Sequence, residues 1–193
     1  MKRVTVFCGS SSGFESIFEE RAYQLGKTLA KQNIGLVYGG AKVGLMGALA
    51  NGVVENQGEA IGVLPLFLKN VEIAHEHLSE LICVETMHQR KAKMDELSDG
   101  IITLPGGFGT LEEFFEMLTW AQLGLHQKPV AILNVNGFFD DLLSLFHLMV
   151  QKGFLKQDNL DMVIVSDDID DLLQKMKNYQ PPLAGKWIHK TQV

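Results

Sequence analysis

Only two cysteines, five prolines and two tryptophans occur among the 193 residues, and the scarcities are informative. Cys8 and Cys83 each sit in apolar, β-branched surroundings. Two thiols are too few for the disulfide framework of a small secreted domain, and they read as packing residues. His75 and His77 form an H-x-H pair with no Cys/His/Asp cluster at ligand spacing, so no metal centre is expected. No apolar run reaches the ~18 residues that span a bilayer. The apolar stretch after Lys2 and Arg3 is interrupted by Thr5 and stops at Gly9, short of a signal core of ~7–15 residues. A cytoplasmic protein is expected. There is also no run of basic residues, and the net charge is −6. Polymeric nucleic acid and anionic membranes are therefore disfavoured as partners. A small phosphorylated ligand, held by a few local donors, remains compatible with an acidic chain.

What is present is a regular alternation. Short apolar runs at Val4–Cys8, Gly35–Tyr38, Ala60–Leu64, Leu81–Glu85, Gly100–Leu104, Val130–Asn134 and Met162–Ser166 read as strands. Helical patterns lie between them, near residues 15–32, 45–57, 87–98, 111–124, 138–152 and 168–178, while 66–79 is ambiguous. Repeated βα units predict an α/β fold: a doubly wound, mostly parallel sheet of about seven strands with helices on both faces, Rossmann-like. No linker or repeat divides residues 1–193, so one domain is expected.

In such a fold ligands bind beyond the C-terminal ends of the strands, where helix N-termini attract anions. Three glycine-rich turns fall there: Gly9-Ser10-Ser11-Ser12-Gly13, then Gly39-Gly40 through Gly44-Leu45-Met46-Gly47, and Gly106-Gly107-Phe108-Gly109-Thr110. One such turn is as well explained by tight chain reversal. Three at one sheet edge, with the hydroxyls of Ser10, Ser11 and Thr110, suit a phosphate and its sugar. Lys42 is followed by Val43 and Gly44 rather than Ser or Thr, which removes the Walker pattern. The first turn lacks G-x-G-x-x-G and the second strand ends without an acid, which argues against NAD. No cofactor is expected.

Thr110 and Glu113 have capping-box spacing at a helix start, and Glu112 suits a first helical turn. Leu111, Phe114, Phe115, Leu118 and Ala121 form a stripe predicted to face the sheet. Glu113, Met117 and Trp120 form a second stripe nearly opposite. A helix apolar on two sides is usually covered on both, so a homodimer is expected, with Glu113 near its edge. Arg90 shares a stripe with Met87, Met94 and Leu97. It either snorkels to water or reaches the ligand edge, where its planar fork suits phosphate.

Together these segments resemble a known family. Residues Pro105-Gly106-Gly107-Phe108-Gly109-Thr110-Leu111-Glu112-Glu113 match the P-G-G-x-G-T-x-x-E signature of the LONELY GUY family, the cytokinin-activating phosphoribohydrolases. Met87-His88-Gln89-Arg90-Lys91 is similar to its M-H-x-R-K element, and Tyr38-Gly39-Gly40 with Gly44-Leu45-Met46-Gly47 to its Y-G-G…G-L-M-G loop. The likeness runs from about residue 4 to 155. It implies cleavage of a nucleoside 5′-monophosphate, with an N6-substituted adenine as base, to free base and ribose 5-phosphate. Hydrolysis of plain purine nucleotides and nucleotide sensing without cleavage are the alternatives. The resemblance implies that Arg90 and Glu113 are catalytic. It implies substrate contacts at Lys91, Gly107 through Glu112, and an upstream glutamate best matched by Glu72. One departure is Gln89, where many relatives carry glutamate.

Overall fold

The computed structural model describes residues 1–68 and 74–181. Glu72 therefore lies outside the described residues. Among the described residues there are seven strands, β1 (Arg3–Phe7), β2 (Gly35–Tyr38), β3 (Ala60–Pro65), β4 (Glu80–Val84), β5 (Ile101–Thr103), β6 (Val130–Leu133) and β7 (Val163–Ser166). They form one sheet in the order β4-β3-β2-β1-β5-β6-β7, and every pairing is parallel. The helices are α1 (Ser16–Lys31), α2 (Gly44–Val54), α3 (Met87–Leu97), α4 (Phe108–Gln122), α5 (Asp140–Gln151), α6 (Gln157–Leu160) and α7 (Ile169–Lys177). The ambiguous stretch after β3 opens as a 3₁₀ turn at Leu66–Leu68.

Alternating side chains build two cores. Val4, Val6, Leu36 and Tyr38 point to one face, against Leu25 and Leu29 of α1, Leu49 of α2 and Leu172 of α7. Phe7, Val37, Ile61 and Ile132 point to the other, against Met94 of α3, Phe114 and Met117 of α4, and Phe146 of α5. Burial on both faces explains why the central strands read as continuous apolar runs. The chain winds outward from β1 to β4, then returns to place β5 on the other side of β1. That reversal opens a crevice above the C-terminal ends of β1 and β5, the place where doubly wound sheets bind ligands. The two loops there are tied together: the Leu104 amide donates to the Phe7 carbonyl at 2.9 Å and the Gly9 amide to the Pro105 carbonyl at 3.0 Å.

Helix α4 differs from the sequence reading in two ways. Its N-cap is Gly107, extended at φ −93° and ψ −157°, and the Leu111 amide already donates to the Gly107 carbonyl at 3.2 Å. Thr110 is thus the third residue of the helix, buried, and makes no capping bond. The expected capping box at Thr110 and Glu113 is corrected accordingly. A capping box does form on α3, where Thr86 accepts from the Gln89 amide and the Gln89 side chain reaches back to the Thr86 amide. Gln89 is thereby explained, because Glu and Gln both serve at that position.

The second correction concerns the stripes. The residues of α4 buried on the sheet are Thr110, Phe114, Met117 and Ala121, spaced by four, three and four as a 3.6-residue period requires. Phe115 turns away and meets Phe146 of α5 edge-on at 5.8 Å between ring centroids. Met117 is core, so the second stripe is not a free apolar face. The homodimer loses the argument that rested on it.

Candidate active site

The crevice holds a cavity of about 290 Å³ bounded by all the β1, β2 and β5 turns. Of the residues singled out in the sequence, Ser10, Gly39, Met46, Arg90, Gly107, Gly109, Thr110 and Glu113 line it. Gly40, Gly44, Gly47, Lys91, Gly106, Phe108, Leu111 and Glu112 are not among its walls. A second lobe of about 320 Å³ shares Gly9, Ser10 and Gly107, with Phe18, Leu45 and Phe138 as its apolar side. Gly106 belongs to that lobe, while Gly44 and Gly47 border a hollow between α1 and α2.

Arg90 reaches this cavity from the first turn of α3 and is only 6% exposed. The snorkelling alternative is therefore excluded. Its Nη1 lies 4.0 Å from the Met87 sulfur, and its buried Nε has no hydrogen-bond partner. Leaving a buried donor unpaired costs about 1–3 kcal/mol, more for a charged group. Such a donor favours an acceptor placed in the cavity. Gly39 makes room for it: a Cβ there would come within 2.1 Å of Nη2.

The glycines separate into two kinds. Gly44 has φ +59°, and a Cβ on it would meet the Ser10 backbone at 2.3 Å; the fold itself demands glycine there. Gly107 and Gly109 are different, because a Cβ on either would meet nothing within 4 Å. Packing does not require glycine at these two positions, and both face the cavity. Gly107→Ala should lower the melting temperature by no more than a few degrees, the cost of a poorer N-cap, while raising KM for the substrate at least about tenfold, through loss of close backbone approach. Thermal unfolding and initial rates check both halves.

Glu113 lies in the second turn of α4, beyond the reach of the helix dipole, which fades after the first turn. Local charge counts for more. Burial raises the Cys8 thiol far above its ordinary range, the Glu113 carboxylate raises it further, and Arg90 offsets part of the effect. Three groups, from the turn after β1, from α3 and from α4, thus share one electrostatic neighbourhood. A thiol held neutral is a poor nucleophile, so covalent catalysis through Cys8 is not favoured. Cys8 itself lines the cavity, a placement that its apolar neighbours in the sequence concealed. Only its position at the end of β1 hinted at the site. Leu68, Met87 and Met94 complete an apolar wall.

Lys91, although next to Arg90, points elsewhere. It is 5% exposed, with its ammonium 2.5 Å from Glu112 and 2.9 Å from Glu116. Burial alone would lower its pKa, but the hydrogen bond to Glu112 and the ion pair with Glu116 outweigh that and raise it. Phe108 is 94% exposed at the start of α4. His75 packs against Asn51 with Nε2···Oδ1 at 3.0 Å, and burial lowers its pKa. Among the described residues no helix is long and apolar enough to cross a membrane.

Comparison with known proteins gives this geometry a context. The family described as "Possible lysine decarboxylase" matches residues 46–176. A protein of Oryza sativa subsp. japonica named "Probable cytokinin riboside 5'-monophosphate phosphoribohydrolase LOGL2" is 45% identical over 93% of this chain and 74% of its own length. The cytokinin riboside 5'-monophosphate phosphoribohydrolase LOG2 of Arabidopsis thaliana is 44% identical over 93% and 84%. The chain belongs to the LONELY GUY family. Among solved structures, the molybdenum cofactor binding protein of Rippkaea orientalis superposes with a TM-score of 0.69 at 26% identity, covering 92% of this chain and 96% of that one. The molybdenum cofactor carrier protein of Chlamydomonas reinhardtii gives 0.68 at 20% identity, over 91% and 95%, a likeness of fold alone. LONELY GUY relatives thus share sequence with this chain across nearly its whole length.

Proposed function

We propose that the chain is a phosphoribohydrolase that cleaves the N-glycosidic bond of N6-substituted adenosine 5′-monophosphates, releasing the base and ribose 5-phosphate. The observation that carries this reading is the convergence of Arg90, Glu113 and two glycines that packing does not require on one cavity. The relatives' names supply the reaction class. Breaking the bond leaves the electron pair on the base, which takes up a proton from solvent, and develops oxocarbenium character at C1′, as in glycoside hydrolysis. The Glu113 carboxylate stabilises that charge and accepts a proton as water adds to C1′. Arg90 and the amides at the start of α4 hold the 5′-phosphate and fix the pose. In this reading Ser10, Gly39, Met46 and Thr110 shape the remaining walls, and Glu72 remains a substrate contact on resemblance alone.

The phosphate cradle has a direct test. Adenosine 5′-monophosphate should release base at least about 10²-fold faster, by kcat/KM, than adenosine, because the nucleoside lacks the group that positions it. Equal rates would contradict the cradle. The same assay with an N6-prenylated nucleotide should release base at least as fast as with plain nucleotide, since Leu68, Met46 and Met87 give the cavity an apolar wall.

Binding without cleavage is the second reading, favoured by the cofactor-binding protein of the same fold at 26% identity. It requires nucleotide to raise the melting temperature while no base appears. A cytosolic homodimer completes the proposal. Two free cysteines suit a reducing compartment, and an apolar hollow of about 240 Å³ walled by Phe115, Leu118, Phe146 and Met149 offers a second copy a surface to cover. One sheet across the described residues supports reading 1–193 as one domain.

A further inference from the structure

We infer that Lys91 is a positioning residue, which clamps α3 to α4 through Glu112 and Glu116 and so sets the spacing of Arg90 and Glu113. The inference rests on the hydrolase reading above and changes the part that Lys91 and Glu112 play in it. Lys91 follows Arg90 on α3, and Glu112 precedes Glu113 on α4. One buried ammonium meets carboxylates on successive turns of α4, at 2.5 Å to Glu112 and 2.9 Å to Glu116. The Glu116 contact is an ion pair without hydrogen-bond geometry. None of the three side chains lines the cavity. The two helices leave the sheet from different strands, β4 and β5, and the catalytic pair is split between them. A charged link next to both members of the pair fixes their separation without touching substrate.

Misplacement of a reacting group by about 1 Å can cost on the order of 10²-fold in rate. Lys91→Met should therefore lower kcat by about 10–100-fold while KM stays within about threefold. Glu116→Gln, nearly isosteric and remote from the cavity, should lower kcat in the same sense by a smaller factor. The double variant should be no slower than Lys91→Met alone, because both changes break one device.

Wild type, both single variants and the double variant are assayed for base release and for thermal unfolding. Matching non-additivity in kcat and in melting temperature supports the clamp. A raised KM at unchanged kcat in Lys91→Met, beside a Glu116→Gln variant that behaves as wild type, overturns it in favour of direct substrate contact. Losses in kcat that multiply overturn it as well. If Lys91→Met does not fold, unaltered kinetics in Glu116→Gln are enough to overturn it. A wild-type chain that releases no base defeats the hydrolase reading instead. The clamp is then judged on melting temperatures, where additive shifts overturn it.

Discussion

Replacing Glu113 by glutamine should lower base release by about 10³-fold, within the 10²–10⁴-fold range of a positioned acid–base group, and leave the fold intact. Glutamine keeps the volume and the acceptor oxygen but removes the charge. In the proposed reaction the charge is what matters, since the developing cation at C1′ then faces a neutral amide. The loss should appear in kcat more than in KM, because the interaction strengthens only as the bond breaks. The side chain belongs to α4 but is not among the residues that seat this helix on the sheet, which are Thr110, Phe114, Met117 and Ala121. The melting temperature should accordingly move by no more than a few degrees. Circular dichroism, unfolding and initial rates on one preparation check each part. Wild-type-like turnover would remove Glu113 from the chemistry.

Arg90→Ala should reduce kcat/KM by about 10²–10³-fold, and here KM should rise along with the fall in kcat. A guanidinium that binds phosphate acts on ground state and transition state alike, and charge-assisted bonds are about twice as strong as neutral ones. Stability should respond in the opposite way from an ordinary core truncation. Arg90 is buried with an unpartnered Nε, so its removal relieves a desolvation penalty even as it opens space. A melting temperature equal to or above wild type is expected, the pattern of a site that trades stability for function. A large drop in melting temperature with KM unchanged would make Arg90 a structural residue.

Most of the fold was legible in the sequence, and for a clear reason. Runs such as Leu36-Val37-Tyr38 and Val130-Ala131-Ile132 are apolar on both faces, which only a covered parallel sheet rewards. The three glycine turns located the crevice, because doubly wound topology leaves one edge for ligands. What failed were questions of rotation and reach. The P-G-G turn lets α4 begin at Phe108, so Thr110 enters the helix instead of capping it, and the buried face rotates to include Met117. Periodicity counted from Leu111 did not register that shift. Cys8 reads as packing because burial and cavity lining look the same at the end of an apolar strand. Lys91 carries the same signature whether it contacts a phosphate or two carboxylates on a neighbouring helix. Gln89, which stood out as a departure from relatives, completes the capping box with Thr86.

The effects of Glu113→Gln and Arg90→Ala presuppose the reaction itself, and one measurement addresses it without any variant. Enzyme in excess over an adenosine 5′-monophosphate bearing an N6 substituent is quenched at intervals, and base, ribose 5-phosphate and remaining nucleotide are quantified. Base and ribose 5-phosphate should appear in equal amounts, with nucleotide falling by the same quantity. Nucleotide that raises the melting temperature yet is recovered intact would contradict hydrolysis and leave the cavity as a binding site.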